Sequence, residues 1–217
     1  MLVVNLFGAP GSGKSTVAAG VFHVLKQRGY IVEYAQEYAK ELVWEERGDL
    51  LADQLYILAQ QNRRLMRVRN RVDVVVTDSP LLFSAVYAPS DYPESFARYA
   101  FDLFRSYANL NFFLHRAVPY QNVGRVHTAD ESVRIGQSML SMLHAEDIPF
   151  EEMDGDTAAV ERIVQRVAAE SALAPLAGPR PEWSTFFREA GTYAAVQDGR
   201  RGFAHEGLLI PARRRRL

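Results

Sequence analysis

Cysteine is absent from this chain of 217 residues, which excludes disulfides and any metal site built on thiolates. Neither His115 nor His127 has partners at metal-ligand spacing, so both are read as non-catalytic. No run approaches the roughly 20 consecutive apolar residues needed to span a bilayer. The chain opens on the strand-like run Leu2 to Phe7 without a charged leader, and the expectation is a cytoplasmic protein with no signal peptide. A large net charge is also missing. At −1 the whole molecule is not an obvious binder of polyanions. Charge is unevenly placed, however, with Arg213, Arg214, Arg215 and Arg216 at the end and Arg200 and Arg201 shortly before. A basic tail can touch nucleic acid or a phosphate surface; a solvated terminus is the plainer reading.

What is present is apolar sequence, 48% of the chain, enough for one α/β domain with a real core and a short appendage. Leu2 to Phe7 reads as a strand, Lys14 to Arg28 as a helix with Val17, Val21, Val24 and Leu25 on one face, and Ile31 to Ala35 as a second strand. Leu50 to Asn70 reads as one long helix with an apolar stripe of Leu51, Leu55, Leu58 and Leu65. Val72 to Thr77 is a nearly unbroken β-branched run, the pattern of a parallel strand covered on both faces. Further on, Phe96 to Tyr107, Asp130 to Ala145 and Thr157 to Ala172 read as helices, and Leu110 to Leu114 and Phe150 to Met153 as strands. Strands alternating with helices predict right-handed crossovers and a three-layer α/β sandwich, a parallel sheet with helices on both faces. Composition shifts at Ala174 to Pro181, where three prolines and a glycine mark a linker or arm. The expected division is therefore a domain over 1–172 and a Pro/Gly linker with a basic extension over 173–217. Trp183, Phe186, Phe187, Tyr193 and Phe203 could pack on something but are too few for a core of their own.

Between the first strand and the first helix lies Gly8-Ala9-Pro10-Gly11-Ser12-Gly13-Lys14-Ser15-Thr16, a full match to the phosphate-binding loop G-x-x-x-x-G-K-[ST] in the context its mechanism needs. Glycines let backbone N–H groups turn inward around phosphate, and the following helix adds its positive end. Lys14 is expected at the β- and γ-phosphates of ATP, with the Ser15 hydroxyl on Mg²⁺. Asp78, directly after the strand Val72 to Thr77, is the expected second Mg²⁺ partner; Asp78-Ser79-Pro80 would also start a helix well, with Asp78 as its cap.

The acceptor side is read from three further patterns. Glu37 falls just past the second strand, on the sheet edge that also carries Gly8 and Asp78, where a carboxylate can take or orient an acceptor hydroxyl's proton; a surface helix start, where glutamate is common, is the alternative. Gln54, Ile57, Gln61 and Arg64 share a helical face whose amides and guanidinium suit a base edge or a phosphate, although polar helix faces are ordinary. The turn-rich stretch Arg116 to Arg125 carries two arginines, either of which could close over the γ-phosphate. Asp154-Gly155-Asp156-Thr157 reads as a turn near the adenine position, with capping by Asp156 as the plainer explanation.

Together the phosphate loop, Glu37-Tyr38-Ala39-Lys40, Thr77-Asp78-Ser79-Pro80, the Arg116…Pro119-Tyr120…Gly124-Arg125 segment and the Asp154-Gly155-Asp156 turn resemble a small-kinase branch of the P-loop fold. That branch is similar to thymidylate kinases and to the kinase domain of ribosylnicotinamide kinases. Asn5 to Gly8, Glu37 to Glu46 and Asp53 to Tyr56 further resemble phage-encoded kinases that phosphorylate 5-hydroxymethyl-deoxyuridine within DNA. The resemblance covers roughly 1–172. It implies transfer of the ATP γ-phosphoryl group to the hydroxymethyl oxygen of a modified thymine analogue in DNA, giving a phosphomethyl base ready for later substitution during hypermodification. Arg116 and Arg125 would then be lid arginines, and Gln54, Gln61 and Arg64 would bind substrate. Two other readings stay open: a kinase of a free nucleoside or nucleoside monophosphate, and a non-kinase ATPase switch.

Overall fold

The computed structural model describes residues 1–117 and 128–173, together with the pairs 204–205 and 208–209. The chain forms two units, Met1–Pro175 and Leu176–Leu217. In the second, Ala204–His205 and Leu208–Leu209 form a two-stranded antiparallel ladder. The rest of the account concerns the first.

Five strands, β1 (Leu2–Phe7), β2 (Val32–Ala35), β3 (Val74–Thr77), β4 (Ala108–His115) and β5 (Glu151–Asp154), form one parallel sheet in the order β2-β3-β1-β4-β5. Helices connect them: α1 (Lys14–Gln27), α2 (Tyr38–Trp44), α3 (Gln54–Met66), α4 (Phe83–Tyr87), α5 (Glu94–Arg105), α6 (Ala129–Ala145) and α7 (Thr157–Leu173). This is the P-loop three-layer sandwich expected from the strand and helix alternation. The order places β1 between β3 and β4, so the chain changes direction across the sheet at the carboxyl end of β1, where open α/β sheets bind ligands.

Each β1 side chain goes to the side its period dictates. Val3 and Phe7 join a core with α3, α4, α5 and α6, while Val4 and Leu6 join another with α1 and α7. Phe7 is fully buried and meets Phe83 and Phe104 edge-on at centroid distances of 5.8 and 6.3 Å. Between Val3 and Phe7 sits Asn5, a buried polar group. Its amide donates to Val3 O at 3.2 Å, Asn109 Oδ1 at 2.9 Å and Asn111 Oδ1 at 3.0 Å, and Asn111 in turn donates to Pro149 O at 2.9 Å. This polar relay ties β1 to β4 and to the approach to β5 inside an otherwise apolar layer.

Several element expectations need correction. The long helix over Leu50 to Asn70 is broken: a 3₁₀ turn at Gly48–Leu50 precedes a fresh start at Gln54, where the Asp53 carboxylate accepts from Tyr56 N at 3.0 Å. Within α3 the buried face runs through Gln54, Ile57, Leu58, Gln61 and Leu65, so Leu55 points outward, 57% exposed, and is no part of the stripe. Asp78 does not cap a helix. After Pro80 the chain turns once more, and α4 begins only at Phe83 with Leu82 in the capping position. For the two short helices α2 and α4 the sequence signals only the starts, at Glu37 and at Asp78, because each is too short to show a period; the first falls where α2 begins and the second lies five residues before α4.

Candidate active site

The phosphate loop begins at Gly8, after the last residue of β1, and ends as α1 starts at Lys14. Gly13 caps that helix at φ 93°, a left-handed conformation that a Cβ would strain. Two distant segments clasp the loop. On one side a Cβ on Gly155 would stand 1.9 Å from Ser12 O, so the turn after β5 lies against the loop backbone. Gly155 N is held by His115 O at 2.8 Å, and the Asp156 carboxylate accepts from Ala158 N and Ala159 N at 2.9 and 3.1 Å, which starts α7. On the other side a Cβ on Gly136 of α6 would meet the Ala9 Cβ at 3.0 Å. Ser132, also on α6 and fully buried, donates to Pro10 O at 2.7 Å. Thr128 and Glu131 form a capping box at the start of α6, which fixes where Ser132 falls.

Arg116 belongs to this clasp. Its guanidinium donates to Pro10 O at 3.1 Å and to Ser132 Oγ at 2.5 Å, so it stands against the crown of the loop. Arg125 lies outside the described residues, as do His127 and the arginines at 200, 201 and 213–216. Lys14 folds back over its own loop, donating to Gly8 O and Ala9 O at 2.9 Å each, with its ammonium 5.6 Å from the Phe83 ring centroid. His115 pairs with Glu152 at 2.7 Å on the surface.

Asp78 sits at the end of β3, next to β1 in the sheet, and is 2% exposed. Its Oδ1 is buried without a hydrogen-bond partner, as is Ser12 Oγ. A buried carboxylate oxygen left unmatched is costly unless something fills it. The Tyr34 hydroxyl interacts with both Asp78 and Ser15. Burial first, then the Asp78 charge and hydrogen bond, push the Tyr34 pKa far above its usual range, while Ser15 pulls it down. Ser15 and Asp78 thus approach one phenol. One carboxylate and one hydroxyl beside a phosphate loop fit Mg²⁺ held largely by nucleotide phosphates and water. Among the described residues no cluster of three or more His, Asp or Glu forms a self-sufficient metal cage.

A cleft of about 380 Å³ opens directly from the loop. Pro10, Gly11, Gly13, Lys14, Ser15 and Thr16 form one wall; α2, α3 and α4 supply most of the rest, including Lys40, Gln54, Ile57, Gln61, Phe83 and Tyr87, with Glu37, Leu51, Ser79 and Pro80 from the segments between elements. Glu37, in the capping position of α2, stands on this wall. The α3 face read from sequence is divided. Gln54 and Gln61 both line the cleft, but the Gln61 amide is committed to the backbone and to β3. Its oxygen accepts from Tyr38 N at 3.1 Å, and its nitrogen donates to Gln36 O at 3.2 Å and Thr77 Oγ1 at 3.3 Å. Gln54 donates to Leu51 O at 2.7 Å. Arg64 is turned away: it pairs with Glu41 at 2.5 Å and stands 4.9 Å over the Tyr38 ring, fastening α3 to α2. Tyr38 and Tyr56 join the same seam through their hydroxyls at 2.7 Å, and that bond first, then burial, raises the Tyr38 pKa to about 12. Phe83, Ser84 and Tyr87 on α4 were missed as cleft residues because the α4 pattern is too short to read.

A family model described as an AAA domain matches residues 3–160, and the chain belongs to that family. Among solved structures it is similar to deoxyadenosine kinase from M. mycoides with the products dCMP and a flexible dCDP bound. That likeness is 16% identical with a TM-score of 0.51, over 77% of this chain and 99% of that one. The same enzyme with bound dATP is 16% identical with a TM-score of 0.48, over 76% of this chain and 99% of that one. At such identity the likeness concerns the fold alone, the P-loop three-layer sandwich. No curated protein sequence matches. No helix among the described residues is long and apolar enough to cross a membrane.

Proposed function

We propose that this chain is an ATP- and Mg²⁺-dependent phosphotransferase that moves the γ-phosphoryl group to a hydroxyl of a single nucleoside unit. The observation that carries the reading is the continuity of the cleft: loop residues Lys14 and Ser15 and acceptor-side residues Glu37 and Gln54 line the same 380 Å³ space. That volume falls in the range of small-molecule sites, and its mixture of apolar walls with a few polar groups suits a nucleoside.

In this reading the loop backbone and Lys14 hold the β- and γ-phosphates. Ser15 and Asp78 would hold Mg²⁺, which when bound neutralises charge on the phosphate oxygens. The acceptor oxygen forms a bond to the γ-phosphorus as the bond from that phosphorus to the β,γ-bridging oxygen breaks, and ADP leaves. The acceptor proton passes to the Glu37 carboxylate. Arg116, at the loop crown, adds positive charge where the transferring group becomes spread in charge.

The finer reading follows the sequence resemblance: the unit is 5-hydroxymethyl-deoxyuridine in phage DNA, extruded from its strand into the cleft as enzymes acting on bases require. Arg200, Arg201 and Arg213 to Arg216 supply charge for such a polymer. The second reading is a free nucleoside or nucleoside monophosphate, favoured by a cleft bounded on several sides and by likeness in fold to a deoxyadenosine kinase. An ATPase switch needs only water as acceptor and gives no use to a cleft of this size. The test is incubation with γ-labelled ATP and Mg²⁺ against nucleosides, nucleoside monophosphates, and single- and double-stranded DNA with and without the hydroxymethyl base. Label in hydroxymethyl DNA alone selects the first reading and label in a monomer the second. Phosphate release without any labelled acceptor refutes both.

A further inference from the structure

From Gln54 to Val72 the chain carries five arginines, Arg63, Arg64, Arg67, Arg69 and Arg71, and no acidic residue, in a protein whose net charge is −1. Elsewhere on the surface four arginines find carboxylates, Arg28 with Glu161, Arg47 with Asp49, Arg105 with Glu146, and Arg166 with Glu151 and Glu170, while Arg98, Arg134 and Arg162 stand singly on separate helices. In this segment only Arg64 does so, with Glu41. Arg69 stands 5.3 Å over the Tyr107 ring, while Arg63, Arg67 and Arg71 are exposed and form no ion pair among the described residues. The neighbouring Asp73 carboxylate accepts from Ile31 N at 3.2 Å.

Helix ends favour cations, and Arg63 and Arg64 in the last turn of α3 are accounted for in that way. Arg67, in the C-cap position, still gains from the helix dipole, but Arg69 and Arg71 lie beyond it and add like charge to the cluster. The stripe of α3 that carries Arg67 and Arg63 continues back through the half-buried Gln60 and Tyr56, at helical spacings of four, three and four residues, toward the seam with α2. Arg63 and Arg67, one turn apart, are separated by roughly 6 Å along the axis, of the order of the spacing between successive phosphates in an extended strand. Guanidinium is the side chain that takes phosphate oxygens in pairs.

We propose that Arg63, Arg67 and Arg71, at the end of α3, form a track for the sugar–phosphate backbone of a nucleic-acid strand. The buried face of the same helix lines the cleft at Gln54, Ile57 and Gln61, so one element joins the track to the site where a nucleoside unit would be held. The choice of nucleic acid over other polyanions rests on the reading of that cleft as a nucleoside site; the binding itself requires no phosphotransfer.

The test is fluorescence anisotropy of the full chain with a labelled single-stranded oligonucleotide, from low to physiological salt and without ATP. Each single-strand phosphate contact contributes about 0.7 to the slope of log affinity against log salt. Replacing Arg63, Arg67 and Arg71 by serine should therefore make the slope shallower by about 2, and weaken all oligonucleotide sequences alike. Should the triple variant fold poorly, Arg67→Ser alone is expected to lower the slope by about 0.7. An unchanged slope in a folded variant overturns the track. So does a salt dependence lost wholly on truncation before Arg200, an intact chain that binds no oligonucleotide at low salt, or one that binds polyglutamate but not DNA. Loss of the track with label still entering a free nucleoside leaves the phosphotransferase reading standing; intact DNA binding with no transfer to any acceptor does the reverse.

Discussion

Substituting Gly155 by alanine tests whether the turn after β5 is the seat of the phosphate loop. The added methyl carbon would lie 1.9 Å from Ser12 O and 3.1 Å from His115 O, both backbone atoms. Bringing the first contact to the 3.4 Å where ordinary van der Waals contact begins requires a separation of about 1.5 Å. No side chain can rotate out of the way, so the loop and the turn must part. Overpacking of this kind costs about 1–3 kcal/mol. At roughly 2–4 °C per kcal/mol for a domain of this size, the melting temperature should fall by about 2–12 °C. The same displacement shifts the loop backbone at Ser12 and Gly13 that would cradle phosphate, so ATP·Mg²⁺ affinity should fall about tenfold or more, the equivalent of about 1.4 kcal/mol. Gly48→Ala is the control: nothing lies within 4 Å of a Cβ there, and the change should stay within about 0.5 kcal/mol. Thermal unfolding and calorimetric titration with ATP·Mg²⁺ provide the two readings. If Gly155→Ala retains both the melting temperature and the affinity, the turn does not seat the loop.

Lys14→Ala should abolish transfer while unfolding stays cooperative, since Lys14 contacts the loop's own carbonyls rather than the core; near-normal transfer at saturating ATP would remove the loop lysine from catalysis. Asp78→Asn should raise the Mg²⁺ concentration needed for half-maximal activity, and an unchanged Mg²⁺ titration would detach Asp78 from the metal. Glu37→Gln should lower turnover by about 10²–10⁴-fold with ATP affinity nearly intact, and an equal loss of ATP affinity would show that Glu37 is not on the acceptor side. Asn5→Leu removes the amide that satisfies both Asn109 Oδ1 and Asn111 Oδ1, and should destabilise by about 1–3 kcal/mol for each acceptor left unmatched in denaturant titrations.

The strands β1 and β3 and the helix α1 were legible because their signals are local: β-branched runs and a single apolar stripe. The phosphate loop was legible because its chemistry requires residue types at fixed spacing. Much of the clasp around it was not. Ser132 reads as one more polar residue in an amphipathic helix, yet it is fully buried and donates to Pro10. Nothing in the spacing around Gly136 or Gly155 announces that each lies under a loop more than a hundred residues earlier. Gln61 shows a limit of another kind. The face it shares with Gln54 and Ile57 was correctly drawn, but periodicity cannot tell whether an amide is available to a ligand or committed to its neighbours; here three contacts commit it. Arg64 drew the same expectation but pairs with Glu41, since the packing of α2 on α3 that brings the carboxylate within reach leaves no trace in the periodicity of α3.

The closeness of Ala9 to Gly136 has an evolutionary corollary. The gap between α6 and the loop accommodates one methyl group, and Ala9 supplies it, leaving 3.0 Å to the place where a second would stand. In descendants of this chain the two sites are therefore expected to drift as a pair. A lineage that acquires alanine at 136 keeps its loop geometry most readily by reducing position 9 to glycine, and glycine at both positions opens a gap that weakens the clasp. The packing thus constrains the total side-chain volume across the two sites, although they lie more than a hundred residues apart in the chain.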